Sequence, residues 1–198
     1  MNVVFDLGGV LLTWDPAAIA SSVFDTPQDQ QLVLDAVFGH PDWVELDRGT
    51  LPVADAITRA VRRTGLSARG LAAMFEAVPL ALVPIPQALD LVKAVREAGN
   101  RVYALSNLHR SSLAHVESAY DVFDLFDGRV VSCEVGACKP EGEIYAIMIE
   151  RHDLDPRESL FIDDVMVNLE AAATFGMRTL RFDAVDLCRA DLRLAGCI

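Results

Sequence analysis

The sequence predicts an α/β protein: a doubly wound, parallel, Rossmann-like sheet carrying a helical segment inserted after its first strand. Two observations predict it. Short apolar, β-branched runs alternate with amphipathic runs of helical period, the pattern of strands joined by crossover helices. One block, residues 15–84, breaks that alternation with helical periodicity and no strand. A chain of 198 residues suits one such domain with a modest insertion.

Five strand-like runs are expected: Val3–Leu7, Arg101–Ser106, Arg129–Ser132, Ser159–Ile162 and Arg178–Leu180. Between them, Gln87–Ala98 sets Leu89, Val92 and Val95 on one helical face, with Gly99 as C-cap. Pro140 is placed in the first turn of a helix running through Ile144, Met148 and Ile149. Val165–Phe175 is expected to form a third helix, ended by Gly176. Inside the insertion, Pro52–Arg63 aligns Val53, Ile57, Ala60 and Val61. The proline-rich stretch Pro79–Pro86 suits a hinge. The expected division is therefore a core of residues 1–14 and 85–198 and a helical cap of 15–84.

Apolar residues make up 52% of the chain and charged residues 23%, a globular balance. The net charge of −12 repels nucleic acid and anionic membrane surfaces, so neither is an expected partner. No apolar run is long enough to span a bilayer. No basic leader precedes Val3, so the expected location is cytoplasmic. Cys133, Cys138, Cys188 and Cys197 form no C-x-x-C pair and are expected to be buried, inert thiols.

Ligands of such sheets bind beyond the carboxyl ends of the strands, and four polar groups fall there. Asp6 in Asp6-Leu7-Gly8-Gly9-Val10 closes the first strand, where a rigidly held carboxylate can attack phosphorus and hold a metal. Ser106-Asn107 closes the second and offers a hydroxyl and backbone N–H groups to an anion. Lys139, before Pro140, can neutralise both the aspartate and a phosphate. Asp163-Asp164, with Asn168 beyond them, ends another strand, and adjacent acids there call for a cation between them. Each group alone has a bland counterpart: an Asp-Gly turn, a serine N-cap, a solvated lysine, an acidic helix start. Their order and spacing are far more specific.

These motifs resemble the haloacid dehalogenase-like superfamily: its D-x-D-x-[TV] signature, its Ser/Thr after an apolar strand, its Lys-Pro and its paired acids. The resemblance covers the whole chain, because the block 15–84 is similar to the small helical cap of one subgroup. Phe5–Val10 looks most like a bacterial branch of sugar-phosphate phosphatases that includes a glucose-1-phosphatase. Asp47-Arg48-Gly49 resembles that branch's E-R-G element, with Arg48 facing the substrate. The resemblance implies a phosphatase acting on a small phosphorylated metabolite, a sugar phosphate among the candidates. It makes Asp6 the nucleophile, with Mg²⁺ held by Asp6, Asp164 and the Gly8 carbonyl, and Asp163 acting through water. Ser106, Asn107 and Lys139 would hold the phosphoryl oxygens. A monomer or a homodimer is compatible with all of this.

One departure matters. The signature's second aspartate, the general acid, is Gly8 here. Glycine cannot move a proton, and general acid catalysis supplies about 10²–10⁴-fold. His109, just beyond Ser106-Asn107, is the first alternative donor. Gly8 also keeps open a non-catalytic or weakly active phosphate-binding protein. A 2-haloacid dehalogenase is a further rival, against which Gly8 and the Asp163-Asp164 pair argue.

Overall fold

The computed structural model describes Met1–Ile198 and shows a five-stranded, wholly parallel sheet. The first strand, β1 (Asn2–Phe5), is followed by five helices: α1 (Pro16–Val23), α2 (Pro27–Val33), α3 (Pro41–Arg48), α4 (Val53–Thr64) and α5 (Ala68–Leu80). Then come α6 (Pro86–Glu97), β2 (Arg101–Ser106), α7 (Arg110–Ala119), β3 (Gly128–Val131), a short α8 (Ser132–Val135) and α9 (Gly142–His152). The chain closes with β4 (Ser159–Asp163), α10 (Met166–Thr174), β5 (Arg178–Arg181) and α11 (Val185–Leu194). The strand order β3-β2-β1-β4-β5 makes the N-terminal strand the central one.

The strands' period of two builds a core on each face. Val3, Phe5, Val102, Ala104, Leu160 and Ile162 pack on one side with α6, α7 and α11. Val4, Tyr103, Leu105, Val130 and Phe161 pack on the other with α9 and α10. Both faces are covered, which is why these strands are nearly continuous in apolar residues.

The helices α1–α5 enclose a separate apolar cluster around Trp43, Leu71, Met74, Phe75 and Val78. Proline at the first helical position, preceded by a side-chain cap, starts three of them. Asp15 Oδ1 accepts from Ala18 N–H, Thr26 Oγ1 from Asp29 N–H, and His40 Nδ1 from Asp42 N–H. The chain leaves and re-enters the sheet domain along one paired track. Thr13 N–H donates to Val83 O (2.9 Å), and Ile85 N–H donates to Leu11 O (2.9 Å).

Several local expectations shift. β1 stops at Phe5 because the Leu7 carbonyl turns back to accept from Leu11 and Leu12 N–H, at 2.8 and 2.7 Å. Pro79 lies buried inside α5, so the connection back to the sheet is the stretch Val83–Ile85 and not the whole of Pro79–Pro86. Pro140 precedes α9 and is not in its first turn. Glu141 N–H donates to Cys138 O (2.8 Å), which closes a turn ahead of the helix. On α6 the buried face is Ala88, Leu91, Val92 and Val95, with Leu89 at its edge. All four cysteines are free and buried. No helix is long and apolar enough to cross a membrane.

Candidate active site

The register of the sheet gathers the four polar groups. Phe5 pairs laterally with Ala104 and Ile162, so the chain ends that follow β1, β2 and β4 reach one edge together. There Lys139 Nζ lies 2.8 Å from Asp6 Oδ1 and 2.7 Å from Asp163 Oδ2. All three side chains are buried. Carboxylate oxygens of Asp6, Asp163 and Asp164 all lie within 4.8 Å of one another.

The three acids differ in what binds them. Asp163 is saturated: Oδ1 accepts from Val165 N–H (2.8 Å) and Asn168 Nδ2 (3.0 Å), and Oδ2 accepts from Lys139 and Asn168. Asp6 uses only Oδ1, which accepts from Leu7 N–H (2.7 Å) and Lys139. Its Oδ2 has no protein donor. Asp164 accepts no side-chain hydrogen bond, and burial beside Asp163 holds its carboxyl above the usual range. Burial likewise raises Asp6, against the pull of Lys139. Gly9 is required here. Its φ is +82°, and a Cβ would sit 2.5 Å from the Asp164 carboxylate.

Three carboxylates against one ammonium leave an excess of negative charge in a largely buried cleft, which is costly unless a cation compensates it. Asp6 and Asp164, the two with oxygens to spare, suit a hard divalent cation that takes one or two carboxylates. Ser106 Oγ is the one buried side-chain polar atom without a hydrogen-bond partner. Leaving it so costs about 1–3 kcal/mol, which a ligand oxygen would offset. Asn107 fixes the lysine from behind: its Oδ1 accepts from Lys139 N–H (2.9 Å) and its Nδ2 donates to Lys139 O (3.0 Å). Its side chain is thus spent on positioning Lys139.

A cavity of about 340 Å³ opens above these groups. Its floor is Asp6, Gly8, Ser106, Asn107, Lys139 and Asp164; its roof is aromatic and comes from Trp14, just ahead of α1, and from the inserted helices. Trp14, Phe38 and Trp43 form the roof cluster, with Phe38 and Trp43 ring centroids 4.6 Å apart. A single π-helical turn, Leu34–Phe38, carries Phe38, and such turns recur at functional sites. Val44, Val78 and Leu82 complete the apolar side.

One residue of α3 differs from expectation. Arg48 is not in the cavity wall. Its guanidinium forks onto Glu141, Nη1 to Oε2 at 2.7 Å and Nη2 to Oε1 at 2.5 Å, and ties α3 to the turn before α9. Its neighbour Asp47 does line the cavity. Burial pushes the Asp47 carboxyl up to about 7, opposed by a hydrogen bond from His109 N–H and by Lys139. Asp47 and the aromatic roof are the components that sequence reasoning missed. Ser132 Oγ donates to Asp47 O (2.6 Å) and accepts from Leu108 N–H (3.0 Å), a second tie between cap helix and sheet. At Gly49, with φ +80°, a Cβ would lie 2.9 Å from Cys133 O, so only glycine permits that approach.

His109 is also in the wall, but buried and engaged. Its Nδ1 lies 2.9 Å from Ser111 Oγ and its Nε2 3.0 Å from Ser112 Oγ, and burial lowers its pKa to about 4.

Comparison with known proteins agrees with this geometry. A sesquiterpene phosphatase of Aspergillus oryzae is 29% identical over 98% of this chain and 96% of its own length. A drimenol cyclase of Aspergillus calidoustus is 25% identical over 96% of this chain, which spans only 35% of that protein. A HAD family enzyme of Bacteroides thetaiotaomicron, solved in complex with magnesium and inorganic phosphate, superposes with a TM-score of 0.68 at 27% identity. The match covers 91% of this chain and 92% of that one. The family model for haloacid dehalogenase-like hydrolases matches residues 1–176. The chain belongs to the haloacid dehalogenase-like hydrolase family.

Proposed function

We propose that the protein is a Mg²⁺-dependent phosphatase that hydrolyses the phosphomonoester of a small apolar alcohol through an aspartyl phosphate on Asp6. The observation that carries the reading is the Asp6–Lys139–Asp163 cluster beside Asp164 and the unpartnered Ser106 hydroxyl. A nucleophile, a cation for the phosphoryl oxygens and a place for a metal meet at one edge. Asp6 Oδ2 attacks phosphorus while Oδ1 stays anchored by Leu7 N–H and Lys139. Ser106 and Lys139 hold phosphoryl oxygens. Asp6 and Asp164, with the Gly8 carbonyl, would hold Mg²⁺, which when bound neutralises charge between the nucleophile and the phosphate. Asp163, pinned by Asn168, keeps Lys139 in place.

The aromatic roof favours an apolar leaving group over a sugar. A sugar phosphate would set its hydroxyls against Trp14, Phe38, Trp43, Val78 and Leu82, whereas a hydrocarbon chain would bury there. The substrate of the Aspergillus oryzae relative points the same way. The test is phosphate release from a sesquiterpenyl monophosphate, a short alkyl phosphate and glucose 1-phosphate, with Mg²⁺ and with EDTA. We expect the order of kcat/KM to follow apolar area and activity to vanish in EDTA and in Asp6→Asn. Preference for the sugar ester overturns the substrate class, and full activity of Asp6→Asn overturns the mechanism.

A further inference from the structure

The phosphatase reading leaves a proton unaccounted for. A simple alcohol is a poor leaving group unless its oxygen is protonated as the P–O bond breaks, and Gly8 has no side chain to do this. The cavity wall holds two further titratable groups, His109 and Asp47. His109 is excluded by its surroundings, since each ring nitrogen is within hydrogen-bond distance of a serine hydroxyl.

We propose that Asp47, carried by the cap helix α3, is the general acid and base of this site, in place of the side chain that Gly8 lacks. It shares one cavity with Asp6, Gly8, Ser106 and Lys139. Its backbone is tied to the sheet, its carbonyl accepting from Ser132 Oγ at 2.6 Å, and the His109 N–H faces its carboxylate. The two cavity carboxyls are set apart by their partners. Asp6 has the Lys139 ammonium at 2.8 Å, an ion pair that favours its carboxylate form against the effect of burial. Asp47 makes no ion pair, and burial raises its pKa to about 7, so near neutrality it is present in both forms. The charged and titratable groups facing Asp47 are Asp6 and Lys139 from the floor, His109 from the wall, Cys133 from α8 and Cys138 from the turn before α9. Arg48 is spent on Glu141.

The proton balance closes over two half-reactions. In the first, Asp6 Oδ2 forms its bond to phosphorus, the ester P–O bond breaks, and the Asp47 proton passes to the leaving oxygen, giving the alcohol and an Asp47 carboxylate. In the second, that carboxylate takes a proton from the attacking water as the new O–P bond forms. The bond to Asp6 breaks, phosphate leaves, and Asp47 is again protonated. The acid comes with the cap, so the step is complete only when α3 is docked on the sheet domain.

This inference rests on the phosphatase reading, and its test separates the two. Asp47→Asn keeps the shape and an acceptor for His109 N–H but cannot donate in the same way. kcat/KM reports the first half-reaction and should be measured for p-nitrophenyl phosphate and for a primary alkyl phosphate. We expect the alkyl-to-aryl ratio to fall by about 10²-fold or more, because only the alkoxide needs the proton. The acid limb of the wild-type alkyl pH profile near 7 should disappear. Gly8→Asp added to Asp47→Asn should restore the ratio at least tenfold. The site admits it: a Cβ at Gly8 would meet only the Trp14 side chain, Cβ at 3.8 Å and Cγ at 4.0 Å, and its φ is not left-handed. Asp47→Ser serves as a second variant, judged by the same ratio. An unchanged ratio in folded Asp47→Asn overturns the proposal and leaves the phosphatase standing. No phosphate release by the wild-type protein from either ester overturns both.

Discussion

Replacing Lys139 by methionine removes one positive charge and keeps the length of the chain. In the native protein that ammonium bridges Asp6 and Asp163, all within a cleft where the three side chains are 2%, 9% and 0% exposed. Removing one partner of a buried ion pair costs about 3–5 kcal/mol, because the remaining charge is neither solvated nor paired. Here two carboxylates lose the same partner, so the upper half of that range is expected in metal-free buffer at pH 7.5. For a chain of this size that corresponds to a fall in Tm of about 10–20 °C. Mg²⁺ should recover part of the loss: at a hundredfold excess over Kd, binding to the folded state alone is worth about 2.7 kcal/mol. The variant should gain more from the metal than the wild type does, since its site is more negative by one charge. Urea unfolding followed by far-ultraviolet circular dichroism, with and without Mg²⁺, measures this. Tryptophan fluorescence would not suffice, because Trp14 and Trp43 both report on the cap region. Lys139→Arg, which keeps the charge, is the control. A metal-free Lys139→Met protein within 1 kcal/mol of the wild type would show that the lysine does not neutralise the acids.

Two further outcomes follow from the structure. His109 has a folded pKa of about 4 against an ordinary 6.5, so the unfolded chain binds the extra proton and its contribution is fully present above 6.5 and lost as pH falls toward 4. That shift amounts to about 3 kcal/mol, so His109→Asn, which can still cap α7, should lose correspondingly less stability than the wild type in urea melts between pH 7 and 4. Arg48→Ala and Glu141→Ala should each raise KM for large and small esters alike, and the double variant should be no worse than either single one. An Arg48→Ala effect confined to the larger substrate would instead place that guanidinium on the ligand.

The sequence carried the sheet and the floor of the cavity for the same reason. Strands buried on both faces are written as unbroken apolar runs, and the polar residue that ends each run must emerge at one edge. Asp6, Ser106 and the Asp163-Asp164 pair are therefore legible in the sequence, whereas Lys139, beyond α8, is legible only through its Lys-Pro motif. The roof is not. Trp14 lies just ahead of the insertion, Phe38 and Trp43 come from different elements within it, and nothing in their spacing says that they meet. Arg48 and Asp47 are adjacent on α3, where neighbours point about 100° apart, and only Asp47 lines the cavity. Which one looks inward is decided by Glu141, 93 positions away, capturing the arginine. Pro140 was misplaced because the hydrogen bonds of the turn Cys138–Glu141, and not proline's helix preference, set where α9 begins.

The central place of β1 has a consequence for synthesis of the chain. Asn2–Phe5 leaves the ribosome before either of its neighbours, Arg101–Ala104 on one side and Ser159–Ile162 on the other. The inserted helices complete their own apolar cluster by Leu80, from contacts that are local in sequence. The nascent protein thus has a finished cap while Val3, Val4 and Phe5 are a bare apolar strand with two open edges. Such long-range parallel pairing is slow to form, and an unpaired edge of this kind is open to other chains in the meantime. The residues that later set the nucleophile at the middle of the sheet are, during translation, the segment most in need of shielding.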